Sequence, residues 1–94
     1  MLDWLENFYK NLCNGDWEHQ YGIKIDSLDN PGWKVKIDLM DTPFLQKEFK
    51  RIEIEKSELN WIHCWIEADV FTIACGPQNL TEAITIFKDF VEKK

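Results

Sequence analysis

The adjacent residues His63 and Cys64 are the pair that most resembles a catalytic base beside a nucleophile. A nucleophilic cysteine needs its base within hydrogen-bonding distance. Both residues lie in a segment of alternating polarity, which predicts a β-strand, and neighbouring side chains of a strand point to opposite faces. His63 therefore cannot activate Cys64, which we expect to be a small buried side chain.

The sequence also gives no support for a metal site or a cofactor site. The two histidines, His19 and His63, and the three cysteines show no short ligand spacing. Glu53 and Glu55 alternate with apolar residues, which is typical of a solvated strand face. Phosphate-binding loops and nucleophile elbows are not found. We therefore predict a protein that is not an enzyme and that uses no metal and no cofactor.

Trp61, His63 and Trp65 occupy alternate positions of one predicted strand and so share a face. If Ile62 faces the core, this aromatic stripe faces away from it. Exposed aromatic residues are enriched among those that dominate protein interfaces. The stripe is thus a candidate partner-binding surface, although its rings can instead pack on long side chains of neighbouring strands, such as Arg51. Both interpretations stay open.

The stretch 16–30 is a second candidate surface, because it has four acidic residues against one lysine in a chain of formal charge -6. Acidic surfaces attract basic proteins and repel nucleic acids. Glu18 has no evident structural function and can be offered to a cationic partner. Trp17 is either a contact or an anchor for the first helix. The candidate contacts here are Asp16, Trp17, Glu18, His19 and Asp29.

Two amphipathic helices and five strands must position these residues. Asp3 with Glu6 has the spacing of a capping box for the first helix, which we expect to end at Asn14-Gly15. Asn79 with Glu82 repeats the capping signal for the last helix. Between the helices, apolar residues alternate in five short segments, which predict an antiparallel meander with one solvated face.

Two turns set the register of this sheet. A two-residue turn at Ala68-Asp69 places Ile66 opposite Phe71 on the core face. The first hairpin needs an odd-length loop or a bulge to keep its apolar residues on one face. Pro31, Gly32 and Trp33 form a structural motif there: we predict a type II turn with Gly32 at positive φ and Trp33 pointing inward.

The predicted fold class is therefore α+β, with an N-terminal helix, a five-stranded antiparallel meander and a C-terminal helix, both helices packing on one face. We expect residues 1–94 to form one domain. Hydrophobic residues make up 45% of the chain, enough for a core. An odd cysteine number and the lack of a signal sequence or membrane-spanning run favour a cytoplasmic location. The sequence does not determine the oligomeric state, and we expect a monomer.

The segments NGDWEHQYGIKI and LDNPGWKVKIDL, between a WLENFYK helix and a GPQNL-capped helix, resemble the immunity protein 53 family of bacterial polymorphic toxin systems. The similarity covers nearly the whole chain and includes the family's WE motif at Trp17-Glu18 and its PGW motif at Pro31, Gly32 and Trp33. The resemblance implies an α+β immunity protein that protects the producing cell by binding a toxin. It identifies neither the toxin nor the contact residues.

From this resemblance we expect stoichiometric neutralisation of a cognate toxin. Many such toxins are nucleases, and a basic phosphate-binding surface suits an acidic partner, although this is analogy. The alternative is a small acidic adaptor or regulatory subunit, unrelated to toxins, that uses the aromatic stripe. We expect no nucleic-acid or membrane partner.

Overall fold

The computed structural model describes residues 1–93, which form two long helices, one short helix and a five-stranded sheet. This confirms the predicted α+β class, with a helix, five strands and a final helix in that order. The short helix is an addition that the apolar pattern did not predict. The bounds are α1 Leu2–Leu12, α2 Trp17–Gln20, β1 Ile23–Leu28, β2 Gly32–Asp38, β3 Ile52–Ser57, β4 Asn60–Glu67, β5 Val70–Cys75 and α3 Leu80–Glu92.

All neighbouring strands are antiparallel, in the order β1-β2-β5-β4-β3. This order corrects the predicted meander, since β2 pairs with β5 instead of β3, and the last four strands form a Greek key. The cause is the connection 39–51, which is too long for a tight hairpin. Its residues Leu39, Phe44 and Phe49 pack on the core while the chain passes to the far edge of the sheet.

The hairpin of β4 and β5 has the predicted register. Ile66 pairs with Phe71 across the turn at Ala68 and Asp69. Both turn residues have positive φ, 52° and 63°, as the two central residues of a type I′ turn require. The two-residue turn therefore places the apolar residues of both strands on one face.

The hairpin of β1 and β2 confirms the odd loop but corrects the predicted turn. Leu28 pairs with Gly32 across the loop 29–31. Gly32 is the first residue of β2, and its φ is not positive. A Cβ atom on Gly32 would lie 2.2 Å from the carbonyl oxygen of Cys75. Glycine is needed here because the backbone of β5 approaches closely, not because a type II turn is formed.

The ends of the helices follow the sequence signals in part. α1 has Met1 as its N-cap, so the predicted capping box is wrong and Asp3 lies in the first turn, where an acidic residue suits the helix dipole. Asn79 is the N-cap of α3, as predicted, and its Nδ2 donates a hydrogen bond to Oε1 of Glu82 at 3.2 Å.

Both long helices pack on the same face of the sheet, as predicted. Phe8 of α1 meets Phe87 of α3 edge-to-face, with ring centroids 5.1 Å apart. Phe87 and Phe90 both contact Phe71 of β5. The sheet contributes its buried hydrophobic side chains to this one core, and the described residues place no helix on its other face.

Candidate functional site

The face of the sheet opposite the helices carries the predicted aromatic stripe. Trp61, His63 and Trp65 point to this side and are half-buried, whereas Ile62 and Cys64 are buried toward the helices. We call this side the open face. By strand register its principal members are Lys24, Asp26, Lys34, Lys36, Thr72, Ala74, Trp61, His63, Trp65, Glu53 and Glu55.

The tryptophans of the stripe rest on neighbouring groups but keep part of their surface exposed. The rings of Trp61 and His63 meet edge-on, 5.4 Å between centroids. The Arg51 guanidinium lies 4.9 Å from the centroid of the Trp65 ring, a cation–π distance. A Cβ atom on Gly32 would lie only 3.5 Å from Cζ2 of Trp61, so that ring reaches across the end of β5. The packing on Arg51 considered from the sequence is present.

The glutamates of the open face already have partners. Glu55 Oε1 lies 2.9 Å from His63 Nε2, and Arg51 Nε donates a hydrogen bond to Glu53 Oε1 at 2.7 Å. Trp65 Nε1 donates a longer bond, 3.4 Å, to Oε1 of Glu67 at the end of the same strand. The glutamates at this edge of the open face therefore already have hydrogen-bonding partners within the protein.

The lysines on the other side of the stripe are not compensated in this way. Lys36 of β2 lies directly opposite Lys24 of β1, and Lys34 lies opposite Asp26. Within residues 1–93, none of the three lysines forms an ion pair. Sequence reasoning missed this cluster, although the alternation of both strands around the odd loop contained the signal.

Glu18 has a structural function that the sequence did not reveal. Its carboxylate accepts hydrogen bonds from the backbone N–H groups of Asn14 and Gly15, both at 2.9 Å. The pKa of Glu18 is lowered mainly by a hydrogen bond that its own backbone N–H donates to the carboxylate. The N–H groups of Asn14 and Gly15 lower this pKa further. Glu18 thus holds the loop between α1 and α2 together, and its oxygens are already engaged.

Trp17 is an anchor inside the fold. Its side chain is 2% exposed, and its Nε1 donates a hydrogen bond to the backbone carbonyl of Met40 at 3.0 Å. Its ring meets Tyr9 of α1 edge-on at 6.1 Å. A partner cannot reach this ring without rearrangement. The other candidate residues of the acidic stretch, Asp16, His19 and Asp29, are exposed.

The PGW segment is also part of the scaffold. Pro31 lies in the loop between β1 and β2, and Gly32 makes the close approach to Cys75. Trp33 points to the helix side, as predicted, and its Nε1 donates a hydrogen bond to the carbonyl of Pro77 at 3.0 Å. This bond ties β2 to the loop that precedes α3.

The two buried thiols are poorly suited to nucleophilic chemistry. Burial raises the pKa of Cys64 to about 12 and that of Cys75 to about 11, so both are protonated at neutral pH. His63 lies on the other face of the sheet from Cys64, as predicted. Residues 1–93 contain no group of three or more His, Cys, Asp or Glu side chains able to hold a metal ion. None of the helices within residues 1–93 is long and apolar enough to cross a membrane.

Comparison with known proteins agrees with the resemblance in the sequence. Neither the curated proteins nor the solved structures contain a significant match. The sequence model of the family described as immunity protein 53 does match, over residues 2–92. Because that match spans nearly all of the 94 residues, the chain belongs to the immunity protein 53 family.

Proposed function

We propose that this protein neutralises a cognate bacterial toxin in the cytoplasm of the producing cell by binding it in a stoichiometric complex. The observation that carries the proposal is membership of the immunity protein 53 family over residues 2–92. The protein needs no catalytic step for this function, because occupying the toxin's active site or a neighbouring surface is sufficient.

The chemistry of the described residues supports binding over catalysis. The buried thiols are protonated at neutral pH, and the histidine next to one of them points to the opposite face. The partly exposed Trp61 and Trp65 can contribute to an interface, because tryptophan is enriched among residues that dominate binding. The net charge of -6 suits a toxin with a basic surface, such as the phosphate-binding cleft of a nuclease.

The proposal is tested by titrating the protein into the toxin domain encoded beside it. We expect a saturable calorimetric signal at one immunity protein per toxin, and protection of toxin-expressing cells only when the immunity protein is present in at least equal amount. Its association rate should fall as salt increases, because screening weakens long-range attraction between the acidic protein and a basic partner.

Three outcomes contradict the proposal in different ways. Protection at far less than one equivalent indicates that the protein modifies or degrades the toxin catalytically. Lack of binding by a natively folded protein, together with unchanged toxicity, favours an adaptor of unrelated purpose. An association rate that is independent of salt contradicts the basic target while leaving neutralisation by an apolar contact intact.

A further inference from the structure

The arrangement of the lysines on the open face lowers the stability of the free protein. Lys24 and Lys36 lie directly opposite each other on neighbouring strands, and like charges in this position destabilise a sheet. Within residues 1–93 neither lysine has an ion-pair partner to offset the repulsion. Lys34 is the next residue of β2 on this face. Asp26 lies opposite Lys34 and Asp38 follows Lys36 by two positions, so three lysines outnumber the two carboxylates beside them on a protein with a net charge of -6.

A strand with small side chains separates these lysines from the aromatic stripe, and we call the depression that this arrangement implies above Ala74 the trough. β5 lies between β2 and β4, and on the open face it contributes the small residues Thr72 and Ala74. The flanking strands are two strand spacings apart, roughly 10 Å, so longer side chains rise on both sides of β5. Flanking side chains cover Thr72, which is 3% exposed, whereas Ala74 between Lys34 and His63 stays partly accessible.

We propose that the open face binds an acidic segment of the toxin, with carboxylates over Lys24, Lys34 and Lys36 and an apolar side chain over Ala74. This inference rests on the proposed neutralisation of a toxin. The charge argument is specific to this side of the face: the glutamates at the other edge already contact His63 and Arg51, whereas Lys24 and Lys36 face each other and have no ion-pair partner among residues 1–93.

The same surface is poorly suited to single-stranded nucleic acid, although aromatic rings beside cations are also used for that purpose. Glu53 and Glu55 flank the stripe on the side away from the lysines and would repel a phosphate backbone crossing it. The net charge of -6 adds a repulsion over the whole molecule. A protein segment that places its acidic groups only over the lysines avoids both.

The decisive variant is Lys36→Glu, measured by surface plasmon resonance against the toxin domain encoded beside this protein. Glutamate at this position faces Lys24, so the variant should melt at or slightly above the wild-type temperature. We expect its complex to dissociate about tenfold faster or more, the loss typical of a charge-assisted contact. Lys10→Glu on exposed α1 makes the same change of net charge and should leave dissociation unchanged.

The sign of the effect separates this inference from simple attraction to a basic toxin. If the toxin meets this face with a basic surface, the added acid of Lys36→Glu strengthens the complex, and the inference is overturned. Equal effects of Lys36→Glu and Lys10→Glu overturn it as well. Lack of wild-type binding refutes the proposed function instead, and tight binding of a single-stranded oligonucleotide that Lys36→Glu abolishes would assign the face to nucleic acid.

A steric variant tests the trough independently of charge. Ala74→Gln projects a longer neutral side chain from the open face of β5 at a partly exposed position, so folding should be retained. We expect weaker binding because the apolar side chain of the toxin loses its place. Thr81→Gln, at an exposed position of α3, is the matched control and should bind like the wild type. Wild-type affinity of folded Ala74→Gln would contradict occupation of the trough.

Discussion

Replacement of Gly32 by alanine should destabilise the protein severely, because the added methyl carbon has no room. It would lie 2.2 Å from the carbonyl oxygen of Cys75 and 3.3 Å from the carbonyl carbon. The obstacle is the backbone of the adjacent strand, so no side-chain rotation relieves the overlap. Contacts under 3.0 Å essentially never occur at a real Cβ atom, so β2 and β5 must separate locally by at least about 0.8 Å.

The expected loss follows from that displacement. Overpacking that moves the backbone typically costs about 1–3 kcal/mol. We place Gly32→Ala near 3 kcal/mol, roughly the upper end of that range, because β2 and β5 are interior strands that pair with neighbours on both sides. For a domain of this length each kcal/mol lowers the melting temperature by about 4–8 °C. The variant should therefore melt roughly 12–24 °C below the wild type.

Circular dichroism melts of matched glycine variants test this reasoning. Gly22→Ala is the control: no atom lies within 4 Å of its added Cβ and its φ is not positive, so it should gain about 0.4–1 kcal/mol by restricting the unfolded chain. Gly32→Asn distinguishes the steric cause from turn geometry, because asparagine tolerates positive φ but brings the same Cβ atom. A Gly32→Ala variant that melts within a few degrees of wild type, or an asparagine variant that restores stability, would refute the contact argument.

Three further predictions concern the scaffold. Trp33→Ala should lose about 3–5 kcal/mol in chemical denaturation, and Trp33→Phe less, because only the ring's bond to Pro77 and part of its volume are removed. The lowered pKa of Glu18 stabilises the fold above its unfolded value of about 4.5, and this contribution disappears as pH falls. Glu18→Gln should therefore flatten the acid limb of a melting-temperature profile below pH 4.5, and an unchanged slope would contradict the role assigned to the carboxylate. A thiol reagent at neutral pH should modify Cys64 and Cys75 only at the rate of unfolding, so immediate labelling of the native protein would show that they are accessible.

Side-chain direction was predictable from the sequence, and strand order was not. Apolar alternation and a two-residue turn were enough to pair Ile66 with Phe71, because a shift of one residue would turn every apolar side chain to solvent. Alternation says nothing about which strand lies next to which. The order depends on the connection 39–51, whose Phe44 and Phe49 pack against the helices and β5 and thereby take β3 to the far edge.

Two local predictions were wrong for the same reason: the type II turn at Pro31-Gly32 and the free carboxylate of Glu18. In both places the side chain or the glycine is required by a backbone group whose position the neighbouring residue types do not indicate. Pro31-Gly32 has the composition of a type II turn, but the requirement for glycine comes from Cys75, 43 positions further along the chain. Glu18 lies in a polar loop and has the composition of a free surface carboxylate. Its partners are N–H groups of Asn14 and Gly15, which a glycine at φ 94° turns toward it. Residue types alone do not describe either geometry.

The residues of the two sequence motifs, WE and PGW, have structural functions in the scaffold. Trp17 and Glu18 fix the position of the segment that follows α1. Gly32 allows β2 to lie close to β5, and Trp33 binds the loop before α3. Substitutions at these positions act mainly through stability, because their side chains are buried, in close contact or fully engaged. The open face is different: its lysines form no ion pair within residues 1–93, and its small residue Ala74 is not required by the core. Exposed residues there, such as Lys36, can change with little loss of folding energy. If the open face binds the toxin, as proposed, the scaffold can stay constant while that face varies.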